Sequence, residues 1–155
     1  MELSDYISER QIVIDLKSTG KKEVLSELLL PLIRLIKISP RSKQKILTAL
    51  ISREKLGSTG IGKGVAIPHV KLDIVKKPLL VIGASSKGID FDAIDGELVY
   101  TVFLILSPKD GGGLHIKLMA RLSKVLKDKF LLRKLKNTRT PRQIKETIKV
   151  YEEQL

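Results

Sequence analysis

At 155 residues and 43% hydrophobic content, the chain can supply one continuous core and reads as a single domain over residues 1–155. It has no cysteine, which excludes disulfides, thiolate metal sites and thiol nucleophiles and suits a reducing cytosol. Twenty-nine Lys and Arg against seventeen Asp and Glu give +12, and between Arg121 and Lys149 eleven basic residues face only Asp128 and Glu146.

The opening MELSDYISER carries acidic residues where an export signal needs a basic start and an apolar run. A brief helix over Leu3–Ile7 and a strand over Gln11–Leu16 are expected there. From Lys21 the apolar residues recur at three- and four-residue intervals, predicting a helix that is kinked or broken at Pro31 and ended by Ser39 and Pro40. That stretch, interrupted by Glu27, Pro31, Arg34 and Lys37, falls short of the roughly 20 apolar residues a membrane span needs, so no membrane insertion is expected. A second helix, Ser42–Lys55, precedes a glycine-rich loop. Short strands are predicted at Val65–Ile67, stopping at Pro68, at Pro78–Ser85 and at Glu97–Leu106. Between the last two, GIDFDAIDG reads as a strand edge and turn, with Asp90, Asp92 and Asp95 alternating against Ile89, Phe91 and Ile94. Helices close the chain at about Leu114–Lys127, Lys129–Lys136 and Pro141–Glu153, the last capped by Thr140. Strands set between helical ends predict an α/β sandwich.

The basic C-terminal stretch places Lys and Arg among leucines at helical spacing, the pattern of a solvated helix face. Such a field could attract nucleic acid, anionic lipid or an acidic protein. Three Tyr and three Phe, scattered, offer no stacking platform, so nucleic acid is not the expected partner.

The loop GSTGIGKGVAIPH, Gly57–His69, begins like a phosphate-binding loop of the Walker type but has Gly64 where that loop needs Ser or Thr to ligate magnesium. It also has a helix before it and a strand after it, the reverse of what would aim a helix N-terminus at the phosphates. A nucleotide site is therefore excluded. Gly57, Gly60, Gly62 and Gly64 still suit a loop whose backbone amides converge on an anion. His69 ends the apolar strand behind Pro68, and His115 opens a helix after a triple glycine, where the helix dipole favours an anion. Two imidazoles beside one phosphoryl group make chemical sense, because a neutral imidazole nitrogen is a good nucleophile near pH 7. Arg53, with its forked donors, is the candidate to hold the phosphoryl oxygens.

The runs SREKLGSTGIGKGVAIPH, FDAID and GLHIKLMARLSKVL resemble the IIA component of the bacterial phosphoenolpyruvate phosphotransferase system, of the fructose–mannitol and nitrogen-regulatory class. The likeness covers about residues 3 to 150, and REKLGSTGIG with FDAID is most similar to the nitrogen-regulatory branch. This resemblance implies a mixed five-stranded sheet flanked by helices, in an α/β/α sandwich. It implies a phosphoryl relay in which a phosphohistidine carrier protein donates to His69, with His115 as companion and Arg53 steadying the group. Ser58, Thr59, Gly60, Gly62 and Gly64 would form the phosphate loop, with no metal and no cofactor. The recipient would be a regulatory target protein or, for a sugar-specific relative, a IIB domain. The lack of a fused IIB or membrane segment in these residues suits regulation. A third reading keeps the fold as a chemically silent binding module with a basic surface. Lys63, in a slot often acidic or amide-bearing in relatives, makes the rim more positive than usual, and Val70 follows the histidine where glycine is common. A basic carrier would then dock on an acidic patch, for which Asp90, Asp92, Asp95 and Glu97 are the candidates.

Overall fold

The computed structural model describes Met1–Leu155. Two 3-10 turns, Leu3–Tyr6 and Glu9–Gln11, replace the expected first helix and lead into β1, Ile12–Val13. This strand is shorter than QIVIDL suggested, and Asp15 at a φ of 55° marks where the chain leaves the extended conformation.

The long amphipathic stretch is divided into α1, Lys21–Leu28, and α2, Leu30–Leu35. Pro31 sits in the first turn of α2, where its missing N–H costs no hydrogen bond, so the break falls two residues before it, at Leu29. Ser39 and Pro40 do not end this helix as expected. They start the next one: the Ser39 hydroxyl accepts the Ser42 N–H at 3.1 Å, Pro40 takes the first position, and α3 runs Pro40–Lys55.

The glycine-rich segment contains a strand that its composition concealed. β2, Gly60–Gly62, pairs antiparallel with β3, Val65–Ala66, across a two-residue turn in which Lys63 and Gly64 both take positive φ, 57° and 79°. That pair of values suits a tight hairpin of the I′ kind. The strand stops before Pro68 as expected, but pairing resumes directly after it in β4, His69–Leu72. Both β3 and β4 run parallel to β6, Val99–Pro108, in one unbroken register from Val65↔Thr101 to Leu72↔Pro108. They form one lane of the sheet, interrupted at Ile67 and Pro68. β5, Leu79–Ile89, lies antiparallel to β6 on its other side and carries β1, giving the order β1-β5-β6-β3-β2 with β4 also on β6. Six strands thus occupy five lanes of a mixed sheet.

Helices α4, Leu114–Val125, α5, Lys129–Lys136, and α6, Pro141–Glu152, complete the chain. Asp128 caps α5 through the amides of Phe130 and Leu131, and Thr140 with Gln143 forms a capping box on α6. Period-two alternation along β6 divides the interior. Val102, Leu104 and Leu106 join the core under α1–α3, while Phe103 and Ile105 join the core under α4–α6. The result is an α/β/α sandwich. In the FDAID segment Phe91 is fully buried, but Ile94 is 77% exposed and does not share the inward face expected for it.

Candidate active site

The α/β/α arrangement puts both histidines on one face of the sheet. On β4, Val70 and Leu72 pack into the α1–α3 core. His69 and Lys71 therefore project to the opposite face, beside their register partners Ile105 and Ser107 on β6. His115 comes to the same place from α4, where it is the second helical residue after Gly113. The two imidazole centroids are 5.6 Å apart with ring planes inclined at 44°.

Hydrogen bonding gives the two rings complementary protonation. His69 Nδ1 lies 2.8 Å from the Ile67 carbonyl oxygen. A carbonyl only accepts, so Nδ1 carries the hydrogen and the lone pair resides on Nε2. His115 Nδ1 lies 2.7 Å from Ser107 Oγ, whose residue is 1% exposed and has no other hydrogen-bond partner. A buried hydroxyl hydrogen left without an acceptor is costly, so Ser107 donates to Nδ1 and the His115 hydrogen sits on Nε2. One ring thus offers a nucleophilic nitrogen and the other an N–H donor. Burial foremost, then repulsion from His69 when that ring is protonated and from Lys71, holds the His115 pKa below the usual histidine value, which keeps His115 neutral near pH 7.

The glycine loop is fastened by its own polar groups. Glu54, buried at the end of α3, accepts the Thr59 N–H at 3.1 Å and the Thr59 hydroxyl at 2.6 Å, and pairs with Lys21 at 3.3 Å. The Lys21 ammonium also lies 3.5 Å from Asp92 and 5.1 Å from the Phe91 ring centroid. Ser58 Oγ donates to the Phe91 carbonyl at 2.7 Å and accepts the Gly60 N–H at 3.0 Å. Asp95 accepts the Lys63 N–H at 2.9 Å and the Glu97 N–H at 3.1 Å, and these bonds, the Lys63 one foremost, hold its carboxyl below the usual range. Both loop hydroxyls and the amides of Thr59, Gly60 and Lys63 are thus engaged with protein acceptors. Gly60 is required by packing: a Cβ there would stand 2.8 Å from the Ala93 Cα. Gly62 and Gly64 hold φ of 92° and 79° in the hairpin.

Arg53 donates to the Gly57 carbonyl at 2.8 Å and takes part in no ion pair, so most of its donors stay free at the start of the loop. Asp90, Asp92, Asp95 and Glu97 are all exposed. Two participants escaped the sequence reading. Lys71 would have been found had the strand been carried past Pro68, since two residues along a strand is the same face. Ser107, at the polar end of an apolar run, carries no sequence signal for its contact with His115.

A model for the EIIA 2 group of the phosphoenolpyruvate-dependent sugar phosphotransferase system matches residues 5–151. The chain belongs to that family. It is 34% identical over 139 residues to a nitrogen regulatory protein of Bradyrhizobium diazoefficiens, covering 90% of this chain and 89% of that one. The crystal structure of nitrogen regulatory protein IIA-Ntr from Neisseria meningitidis superposes with a TM-score of 0.85 at 29% identity, covering 94% of this chain and 98% of that one. Enzyme IIA for mannitol from Escherichia coli, solved in complex with phosphorylated enzyme IIB for mannitol, shares the fold with a TM-score of 0.72 at 20% identity, over 93% and 97% of the chains. This EIIA-family chain is a phosphoryl carrier of the phosphotransferase system resembling the nitrogen regulatory proteins. None of its helices is long and apolar enough to cross a membrane.

Proposed function

We propose that this EIIA-family protein takes a phosphoryl group onto His69 Nε2 from a phosphohistidine carrier protein and presents its two phosphorylation states to a regulatory target protein. The observation that carries the reading is the pair of fixed, complementary imidazoles 5.6 Å apart. In the transfer the donor's N–P bond breaks as the His69 Nε2–P bond forms, and the donor nitrogen regains its lone pair. No proton has to move, because His69 keeps its Nδ1 hydrogen on the Ile67 carbonyl throughout. His115 Nε2–H donates to a phosphoryl oxygen, with Arg53 and Lys71 adding positive charge as the group arrives. The catalysis is positioning plus electrostatic screening. Ser58, Thr59, Gly60, Gly62 and Gly64 support the site by holding the loop in shape.

Intact-mass spectrometry at neutral to mildly alkaline pH, after mixing with a phosphorylated carrier, tests the proposal. The wild type gains one phosphoryl group and His69→Ala gains none. Equal gain in both would refute the assignment. A mass gain lost on adding a IIB domain would redirect the output to sugar uptake.

A further inference from the structure

The relay uses one end of α4 and leaves the outer face of the α4–α6 layer unexplained. Residues 114–155 hold twelve Lys and Arg against four Asp and Glu, so they carry +8 of the chain's +12. Within this layer Arg121 is occupied by Glu2 and Glu152, and Lys136 lies 4.1 Å from the Tyr100 ring centroid. The other nine cations between Lys124 and Lys149 enter no ion pair, and all but Lys145 are exposed. Of the four acids, Asp128 caps α5 and Glu152 is 2% exposed with its oxygens on Arg121 and the Leu3 and Ser4 amides, which leaves only Glu146 and Glu153 exposed against these nine cations.

An apolar anchor stands among these charges. Phe130, 68% exposed at the start of α5, is flanked by Lys127, Lys129, Arg133 and Lys134, with the Arg133 guanidinium 6.0 Å from its ring centroid. Leu131 and Leu135 of the same helix point into the core, so Phe130 is not part of the helix's packing stripe.

We propose that this face docks on an anionic lipid bilayer. Six of the nine cations are lysines, compact hydrated charges that are depleted from the cores of protein interfaces and lack the planar fork of arginine. The largest cavity described, about 610 Å³, lies elsewhere, between β1 and α2, and the one of about 260 Å³ that borders α5 at Leu132 and Lys136 is lined mainly by the Lys63–Gly64 hairpin and residues 95–101, away from Phe130. Dispersed lysines around one protruding aromatic ring match an anionic surface that is broad and laterally fluid. Duplex nucleic acid would attract the same cations but gains nothing from Phe130. The cations begin at Lys124, nine residues beyond His115 on α4 and about 14 Å from it along the helix axis. The inference rests on this face alone and stands whether or not His69 is the acceptor.

Vesicle flotation with the intact protein provides the test, comparing pure phosphatidylcholine with vesicles about one-third phosphatidylglycerol at low salt. The wild type floats with the anionic vesicles only and is released as salt rises. Lys129→Ala with Lys134→Ala weakens binding about 25-fold, roughly fivefold per cation. Phe130→Ser weakens it about tenfold. Both variants alter exposed side chains and should melt with the wild type. Absence of vesicle binding at low salt overturns the proposal, as does wild-type binding by either variant. Equally tight binding to duplex DNA, insensitive to Phe130→Ser, would reassign the face to nucleic acid.

Discussion

Glu54→Ala probes how the glycine loop is held without touching either histidine. The substitution removes the acceptor of the Thr59 amide and hydroxyl and leaves Lys21 with only the exposed Asp92 as partner. Breaking a buried ion pair costs about 3–5 kcal/mol. Lys21 is 19% exposed and keeps Asp92 at 3.5 Å, so the low end, about 3 kcal/mol, is expected. For a domain of this size that lowers Tm by roughly 6–12 °C, at about 2–4 °C per kcal/mol. Glu54→Gln keeps one acceptor for Thr59 but also gives up the charge on Lys21, so it should lose about 2 kcal/mol, less than the alanine variant. Thermal melts followed by circular dichroism measure both, and the phosphorylation rate should fall in step with loop order. A loss below about 1 kcal/mol in Glu54→Ala, or a larger loss in Gln than in Ala, would refute the fastening role.

Ser107→Ala frees the His115 tautomer and should slow phosphorylation about tenfold, less than the 10²–10³ lost when an oxyanion donor itself is removed, with His115→Ala the slower; unchanged single-turnover kinetics in Ser107→Ala would count against the hydrogen-bond argument. The fold favours neutral His115, so the native state binds fewer protons than the unfolded one. Its share of stability is therefore complete above about pH 6.5 and falls as pH drops from there toward the lowered native pKa. An NMR titration should place the His115 midpoint below the usual value, raise it in Lys71→Ala, and raise it further once His69 is phosphorylated. Gly60→Ala forces its Cβ onto Ala93 and should cost about 1–3 kcal/mol, with amide shifts concentrated at residues 58–64 and 91–97; a neutral melt would contradict the close approach. Replacing Asp90, Asp92, Asp95 and Glu97 by their amides should slow phosphorylation by the carrier most at low salt. An unchanged rate would remove that patch as the docking face.

The sandwich is legible because long apolar runs and helical periodicities survive any local detail: Lys129–Lys136 matches α5 end to end, and the break expected at Pro31 falls two residues before it. What failed was local. Ser39 and Pro40 read equally well as a stop or a start, and only the Ser42 amide on the Ser39 hydroxyl decides between them. Gly60–Gly62 has no strand propensity and is a strand because β3 pairs with it. Pro68 cannot donate to a ladder, yet its own carbonyl accepts the Ile105 N–H at 3.0 Å, so the register survives it. At the site, the histidines and Arg53 stood out by residue type. Their tautomers, the fastening by Glu54 and the contribution of Lys71 depend on contacts across the sheet that no local pattern encodes.

The central claim is that His69 Nε2 is the atom that receives the phosphoryl group. Long-range ¹H–¹⁵N NMR of the phosphorylated protein, with ³¹P detection of the N–P bond, tests it at atomic resolution. The account predicts phosphorus on His69 Nε2, with Nδ1 still protonated and His115 unmodified. Phosphorus on His69 Nδ1, or on His115, would contradict it.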